Sequence, residues 1–161
     1  MNTAHASQPL WDFALVFYAQ PKAAEACLQL QDEYGANVCL LIALRWLDIR
    51  EQSLSSGEFT DLQQHINVWT QEIVVPLRNL RRKLKEEIGT LRNDDIQQQL
   101  RALVKQAELL AEKKLLNEIE SWIQRLPAVH SGQPCKNLQA YLVVLKASDD
   151  LIALLQEPES L

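Results

Sequence analysis

Apolar residues recur three and four positions apart through most of this chain, the spacing of amphipathic helices. One stretch departs from it: from Val38 to Leu44 every residue is apolar. A helix apolar on all sides has no face to offer water, so Val38–Ile49 is expected to be a central helix walled in by others. Upstream, Leu10, Phe13, Ala14 and Phe17 share one face of a short first helix, with Trp11, Leu15 and Tyr18 beside it. Pro21 suits the first turn of a second helix. That helix keeps Ala24, Cys27, Leu28 and Gln31 in line and ends at Gly35, a left-handed cap. Asn37 is placed to cap the central helix.

Beyond it, Ser53–Glu58 reads as a loop, and Thr60 with Gln63 as a capping box that opens a long amphipathic run. Its stripe is Leu62, Ile66, Trp69, Ile73, Leu77, Leu80, Leu84 and Ile88. Pro76 interrupts this stripe without shifting its phase, which predicts a kink. Gly89 ends the run. Asn93 caps the next helix, with Asp94 and Asp95 in its first turn, where the helix dipole favours acids. A second stripe runs through Ile96, Leu100, Leu103, Ala107, Leu110, Leu116, Ile119, Ile123 and Leu126 until Pro127. The two runs, Thr60–Ile88 and Asp94–Leu126, predict an antiparallel hairpin about 40 Å long. After a polar loop, His130–Pro134, one last helix carries Leu138, Tyr141, Leu145, Ile152 and Leu155.

No strand pattern and no internal repeat is visible, so the fold class is all-α: a single-domain helical bundle with one long hairpin helix kinked at Pro76. The organisation reads as a flexible tail over 1–7, one helical domain over 8–156, and a tail over 157–161. Within the domain lie a compact N-terminal set (8–54), the hairpin (60–126) and a C-terminal helix (134–156).

Composition narrows the classes. At 47% hydrophobic and 23% charged, the 161 residues suit one globular domain with its own core. The formal charge of -5 argues against a dedicated nucleic-acid binder. Cys27, Cys39 and Cys135 are odd in number and lack metal-finger spacing, a usage that fits a reducing cytosol. No signal peptide is expected at MNTAHASQPLW, and Arg45 breaks the only long apolar run well short of a membrane span. A cytoplasmic protein without membrane contact is expected.

Several motifs taken together resemble a known family. They are Trp11-x-Phe13 with Tyr18, CLQLQD (Cys27–Asp32), GANVCLL (Gly35–Leu41), and Trp69 followed by VVPLRNLRRKLK (Val74–Lys85). The chain resembles, over about residues 10–125, an uncharacterised family of small all-helical bacterial proteins, a domain of unknown function seen mainly in Pseudomonas-like gammaproteobacteria. Cys39 stands where that pattern more usually has Asn. The resemblance implies an all-helical cytoplasmic protein and transfers no site.

Candidate chemistry is sparse. The acid pairs Asp32/Glu33, Asp94/Asp95 and Asp149/Asp150 lack a third acid one turn away, and His5, His65 and His130 are far apart. No metal site, cofactor or nucleophile is therefore expected. Arg78, Arg82 and Lys85 share a helical face fit for an anion or an acidic partner, or for pairing with acids on the opposite helix. Arg45 and Asp48 lie one turn apart on the most apolar helix. Each must be satisfied, either as a structural pair or across a polar cleft. Asp32 and Asn37 are near them in sequence, and Trp11, Asp12 and Trp69 are candidates to close the cleft.

Two readings stay open, and whether the chain is an enzyme is undecided. The leading one is a non-catalytic protein-interaction or regulatory module with a protein partner, resting on the missing catalytic signatures and a long charged hairpin. The alternative is a binder of a small anionic ligand, or an enzyme, using the Asp32–Asp48 cleft.

Overall fold

The computed structural model describes residues 8–127 and 134–156; the expected tails, and His5, His130 and Ser131, lie outside them. Among the described residues the chain forms eight α-helices and one π segment. In order they are α1 (Leu10–Tyr18), α2 (Pro21–Tyr34), α3 (Val38–Ile49), α4 (Ser56–Trp69), the π segment (Thr70–Val74), α5 (Val75–Lys83), α6 (Asp95–Gln124), α7 (Asn137–Val144) and α8 (Asp149–Gln156). No strand is present among them, only an isolated bridge between Ile88 and Leu91. The all-α class stands. No helix among the described residues is long and apolar enough to cross a membrane.

The centre is α3. Cys39 through Leu44, Trp46 and Leu47 are all buried, because α1, α2, α6 and α7 each pack against this one helix. Leu41, Leu44 and Leu47 expose no surface, and full burial of each such side chain stabilises by about 1.5–3 kcal/mol. The ends of α2 and α3 follow the sequence. Pro21 opens α2, Gly35 closes it at φ 67°, and the Asn37 side chain accepts from the Leu40 N–H. On α2 the buried line is Ala23, Ala26, Cys27 and Leu30. It is rotated from the expected one, and Leu28 faces outward.

The hairpin differs from expectation at five points, the first being that α5 ends at Lys83, short of the expected Ile88. Its first helix starts at Ser56, with the capping box on Ser55 and Glu58 instead of Thr60 and Gln63. The Thr60 hydroxyl donates to the Ser56 carbonyl and caps nothing. Asp94, not Asn93, caps α6 by accepting from Gln97 N–H. Asn93 instead donates to the Lys85 carbonyl, and Gln97 Nε2 donates to the Leu84 and Glu86 carbonyls. Side chains from the start of α6 thus satisfy the carbonyls left over where α5 ends, and Gly89, at φ 62°, makes the turn between them.

The largest departure is the phase of the first stripe. The π segment, in which Val75 N–H reaches the Thr70 carbonyl, adds one residue to the turn just before Pro76. Proline has no N–H and crowds the carbonyl four residues back, and a widened turn removes both conflicts. Thr70 contributes from the other end, since its hydroxyl donates to the Ile66 carbonyl at 2.9 Å. The buried line therefore passes from Leu62 and Ile66 to Thr70 and Val74, and Ile73 and Leu80 turn outward.

On α6 the buried positions are Val104, Glu108, Ala111, Leu115, Leu116, Ile119 and Ile123. The expected stripe holds only in the C-terminal half. In the N-terminal half Ile96, Leu100, Leu103 and Leu110 are exposed, because α5 is the main neighbour there and itself buries no residue. The single last helix is two, α7 and α8, separated by a break at Lys146, where φ is 58°.

Candidate functional site

The residues expected to form one cleft are dispersed. Arg45 and Asp48 each hold the end of a different helix. The Asp48 carboxylate accepts from the Asn137 and Leu138 N–H groups and from Asn137 Nδ2, at 2.8–3.1 Å. It thereby caps α7, whose own N-cap residue, Lys136, supplies no side-chain cap. Burial pushes the Asp48 carboxyl above its usual range, against the pull of those hydrogen bonds. Arg45 Nη2 donates to the Gln156 carbonyl at the end of α8, at 3.3 Å. An acid at a helix start and a base at a helix end both match the helix dipole. A third group works the same way: Glu120 on α6 accepts from Leu10 N–H at the start of α1.

The remaining cleft candidates separate as well. Trp11 lies under the Lys113 ammonium, 5.0 Å from the ring centroid, and Asp12 is exposed. Trp69 donates its indole N–H to the Ala111 carbonyl at 3.0 Å and carries Lys114 over its ring at 5.2 Å. Asp32 pairs with Arg82 at 2.7 Å on the surface, and that cation holds its carboxyl below the ordinary range. Asn37 binds three ways: it caps α3, its N–H donates to the Tyr141 hydroxyl, and its Nδ2 donates to Thr70 Oγ1.

A cavity of about 370 Å³ brings Asn37, Arg78 and Arg82 together where the first turn of α3 meets the π segment. Gln31, Gln63, Asn67, Gln71 and Asn79 add amides to its wall. This site joins members of both sequence-derived candidate sets, Asn37 from one and the two arginines from the other; Lys85 is not among its lining residues. The amides carried no recognisable spacing, and the π segment that turns Gln71 towards them has no reliable sequence signature.

The charges of this cavity are largely committed. Arg78 donates to Glu108 at 3.2 Å and to Glu112 at 3.0 Å, and Arg81 donates to both oxygens of Glu108. Glu108 is almost fully buried, a position tenable for a carboxylate only with such partners. Arg78, Arg81 and Arg82 are thus matched by Glu108, Glu112 and Asp32, and the cluster locks α5 to α6 and to α2.

A second feature lies on the hairpin. Ile96, Leu100, Leu103 and Leu110 expose 74%, 49%, 62% and 68% of their surface. Their three-four spacing, with Ala107 between, places them on one face of α6. One turn further, Lys114 and Leu115 join Val68, Trp69 and Ile73 around an apolar groove of about 430 Å³ between α4 and α6. His65 and Glu118, 2.8 Å apart, close its rim. Among the described residues no three His, Cys, Asp or Glu side chains converge as a metal ion requires.

A family model spanning residues 9–119 matches the chain. The chain belongs to the DUF2390 family, described as proteins of unknown function. The match to DUF2390 takes in α1 through most of α6, and so both the cavity and the hairpin strip. Neither a curated protein nor a solved structure matches the chain.

Proposed function

We propose that this DUF2390 chain is a cytoplasmic, non-catalytic protein-interaction module whose working surface is the apolar strip of its hairpin. One observation carries this reading. Ile96, Leu100, Leu103 and Leu110 stand exposed in register on α6, although the sequence repeats them as a core stripe. A contiguous apolar face with polar borders is uncommon on a monomer's surface and marks a binding site. Two substitutions, Leu100→Glu and Leu103→Glu, leave the core untouched. They are expected to abolish co-purification of a stoichiometric protein partner at physiological salt while the melting temperature stays near that of the wild type. Retention of every partner by that variant overturns the proposal.

The competing reading, a binder of a small anion, is favoured by the meeting of Asn37, Arg78 and Arg82 at one cavity. Against it, each arginine there already holds a carboxylate, so no uncompensated cation awaits an anion. A panel of phosphorylated and carboxylated metabolites decides between them. A marked rise in melting temperature that Arg82→Ala removes would favour the cavity.

A further inference from the structure

The wall that α4, the π segment and α5 present to the cavity at Asn37 consists of two neighbouring rows of side chains. The outer row is Gln63, Asn67, Gln71, Val75 and Asn79, spaced four apart, and every member lines the cavity. In a uniform α-helix four residues advance about 40° beyond a full turn, so such a row winds away from one face. The π segment takes in an extra residue and sets the row back. Amides from both sides of the segment therefore stay on one wall. The inner row, Ile66, Thr70 and Val74, is buried, and with Ala36 and Leu40 it makes a largely apolar floor.

The outer amides are exposed, and their side chains bond to no other group among the described residues. A buried donor stands with them. Tyr141 lines the same cavity and is only 4% exposed. Its hydroxyl accepts from Asn37 N–H at 2.9 Å, but its own hydrogen meets no acceptor among the described residues. A buried O–H is costly unless something accepts from it.

These groups suit an uncharged ligand, since Arg78 and Arg82 already face Glu108, Glu112 and Asp32. A nucleobase would want an aromatic platform, and the one aromatic lining residue, Tyr141, is almost wholly covered. The spacing points elsewhere. Residues four apart stand about 6 Å from one another along a helix. An extended peptide presents an N–H and a C=O to the same side every two residues, about 6.6 Å. Over Gln63, Asn67 and Gln71 the two periods nearly coincide, and each carboxamide can both donate to the main chain and accept from it. Alternate side chains of that peptide then face the floor, where Ile66, Val74 and Ala36 admit small apolar groups.

We infer that this cavity binds an extended peptide segment of a partner protein through its main chain. Gln63, Asn67 and Gln71 run along one edge of the segment, and the Tyr141 hydroxyl donates to a carbonyl at the inner end. The site is separate from the hairpin strip and does not depend on it.

Nuclear magnetic resonance on the isotope-labelled full chain tests this, because side-chain NH2 signals report on the amides directly. The probe is an acetylated and amidated peptide of alternating valine and serine. It is expected to move the signals of Gln63, Asn67 and Gln71. Asn67→Asp, at an exposed position, should weaken the probe about tenfold, the loss of roughly one donated hydrogen bond. The matching depsipeptide, with ester oxygens in place of its N–H groups, keeps shape and side chains and should not bind. Equal binding of both probes overturns the inference, as does a titration to millimolar peptide that leaves those signals unmoved. Saturation by N-methylacetamide at the same concentration also overturns it and makes the cavity a small-molecule pocket. The Leu100→Glu, Leu103→Glu chain should bind the probe as the wild type does. Loss of binding in that chain puts the peptide on the strip and overturns the cavity as its site.

Discussion

Asp48 is the residue whose role is most open to test. It sits on the most apolar helix, yet its carboxylate takes three N–H donors belonging to α7. Asp48→Asn replaces one acceptor oxygen with a donor facing those groups. It is expected to cost about 1–3 kcal/mol, the range for a buried polar group left unmatched, measured as a lower urea midpoint. Arg45→Met should cost less, since Arg45 bonds a backbone carbonyl at the end of α8 and its loss strands no acid. Equal losses from both would contradict this division. Cysteine gives a pH signature. Burial pushes the Cys27 thiol up to about 12 from its ordinary 9.0, and burial raises Cys39 further. A folded state that holds its proton more tightly than the unfolded chain is fully stabilised below the unfolded value and loses that contribution as pH rises towards the folded one. Stability should therefore fall between pH 9.0 and about 12, more steeply than in a Cys27→Ala, Cys39→Ala variant. Flat urea midpoints across that window would refute it.

At the scale of elements, the π segment gives the sharpest prediction. It is equivalent to one residue inserted into a continuous helix, so deleting Gln71 should return the helix to α geometry with Leu62, Ile66, Val74 and Leu84 still inward. The obstacle is Pro76, which costs about 3 kcal/mol in a regular helix interior. Deletion of Gln71 with Pro76→Ala should melt within a few degrees of Pro76→Ala alone, and deletion of Gln71 alone well below the wild type. If both melt alike, the proline does not set the segment. This element also marks how much of the fold was legible. The bounds of α2 and the start of α3 could be read because these ends are local chemistry: Pro21, Gly35 and Asn37 act on backbone within a few positions. The phase of the first hairpin stripe could not, because a π turn depends on Thr70 finding Ile66 and Asn37, and Asn37 lies far away in sequence. The first half of the α6 stripe had the right period, but period does not say whether a neighbour covers the face. The partners of Arg45 and Asp48 were hidden for a related reason. Both residues demanded partners, and those partners, on α7 and α8, lie about ninety and more positions away. The cavity at Asn37 was partly visible through its arginines and not through its amides.

For the whole molecule, stability should be unevenly distributed. The body is organised around α3, whose Leu41 exposes no surface; Leu41→Ala should cost about 2–5 kcal/mol of global stability. The α5 end of the hairpin has one layer of helix behind it and buries little, so its amides should exchange with solvent first and those of α3 last. Protection of α5 equal to that of α3 would mean that the tip is covered. The two extremities of the described chain are each tied to that same central helix, by neighbouring residues. Trp46 donates to the Gln8 carbonyl and Arg45 to that of Gln156. A flexible Gly/Ser bridge across that helix could join residues 8 and 156. The chain is then topologically a ring whose order of synthesis is arbitrary: a circular permutant opened between Gly89 and Thr90 would begin with α6, end with α5, and keep every helix intact.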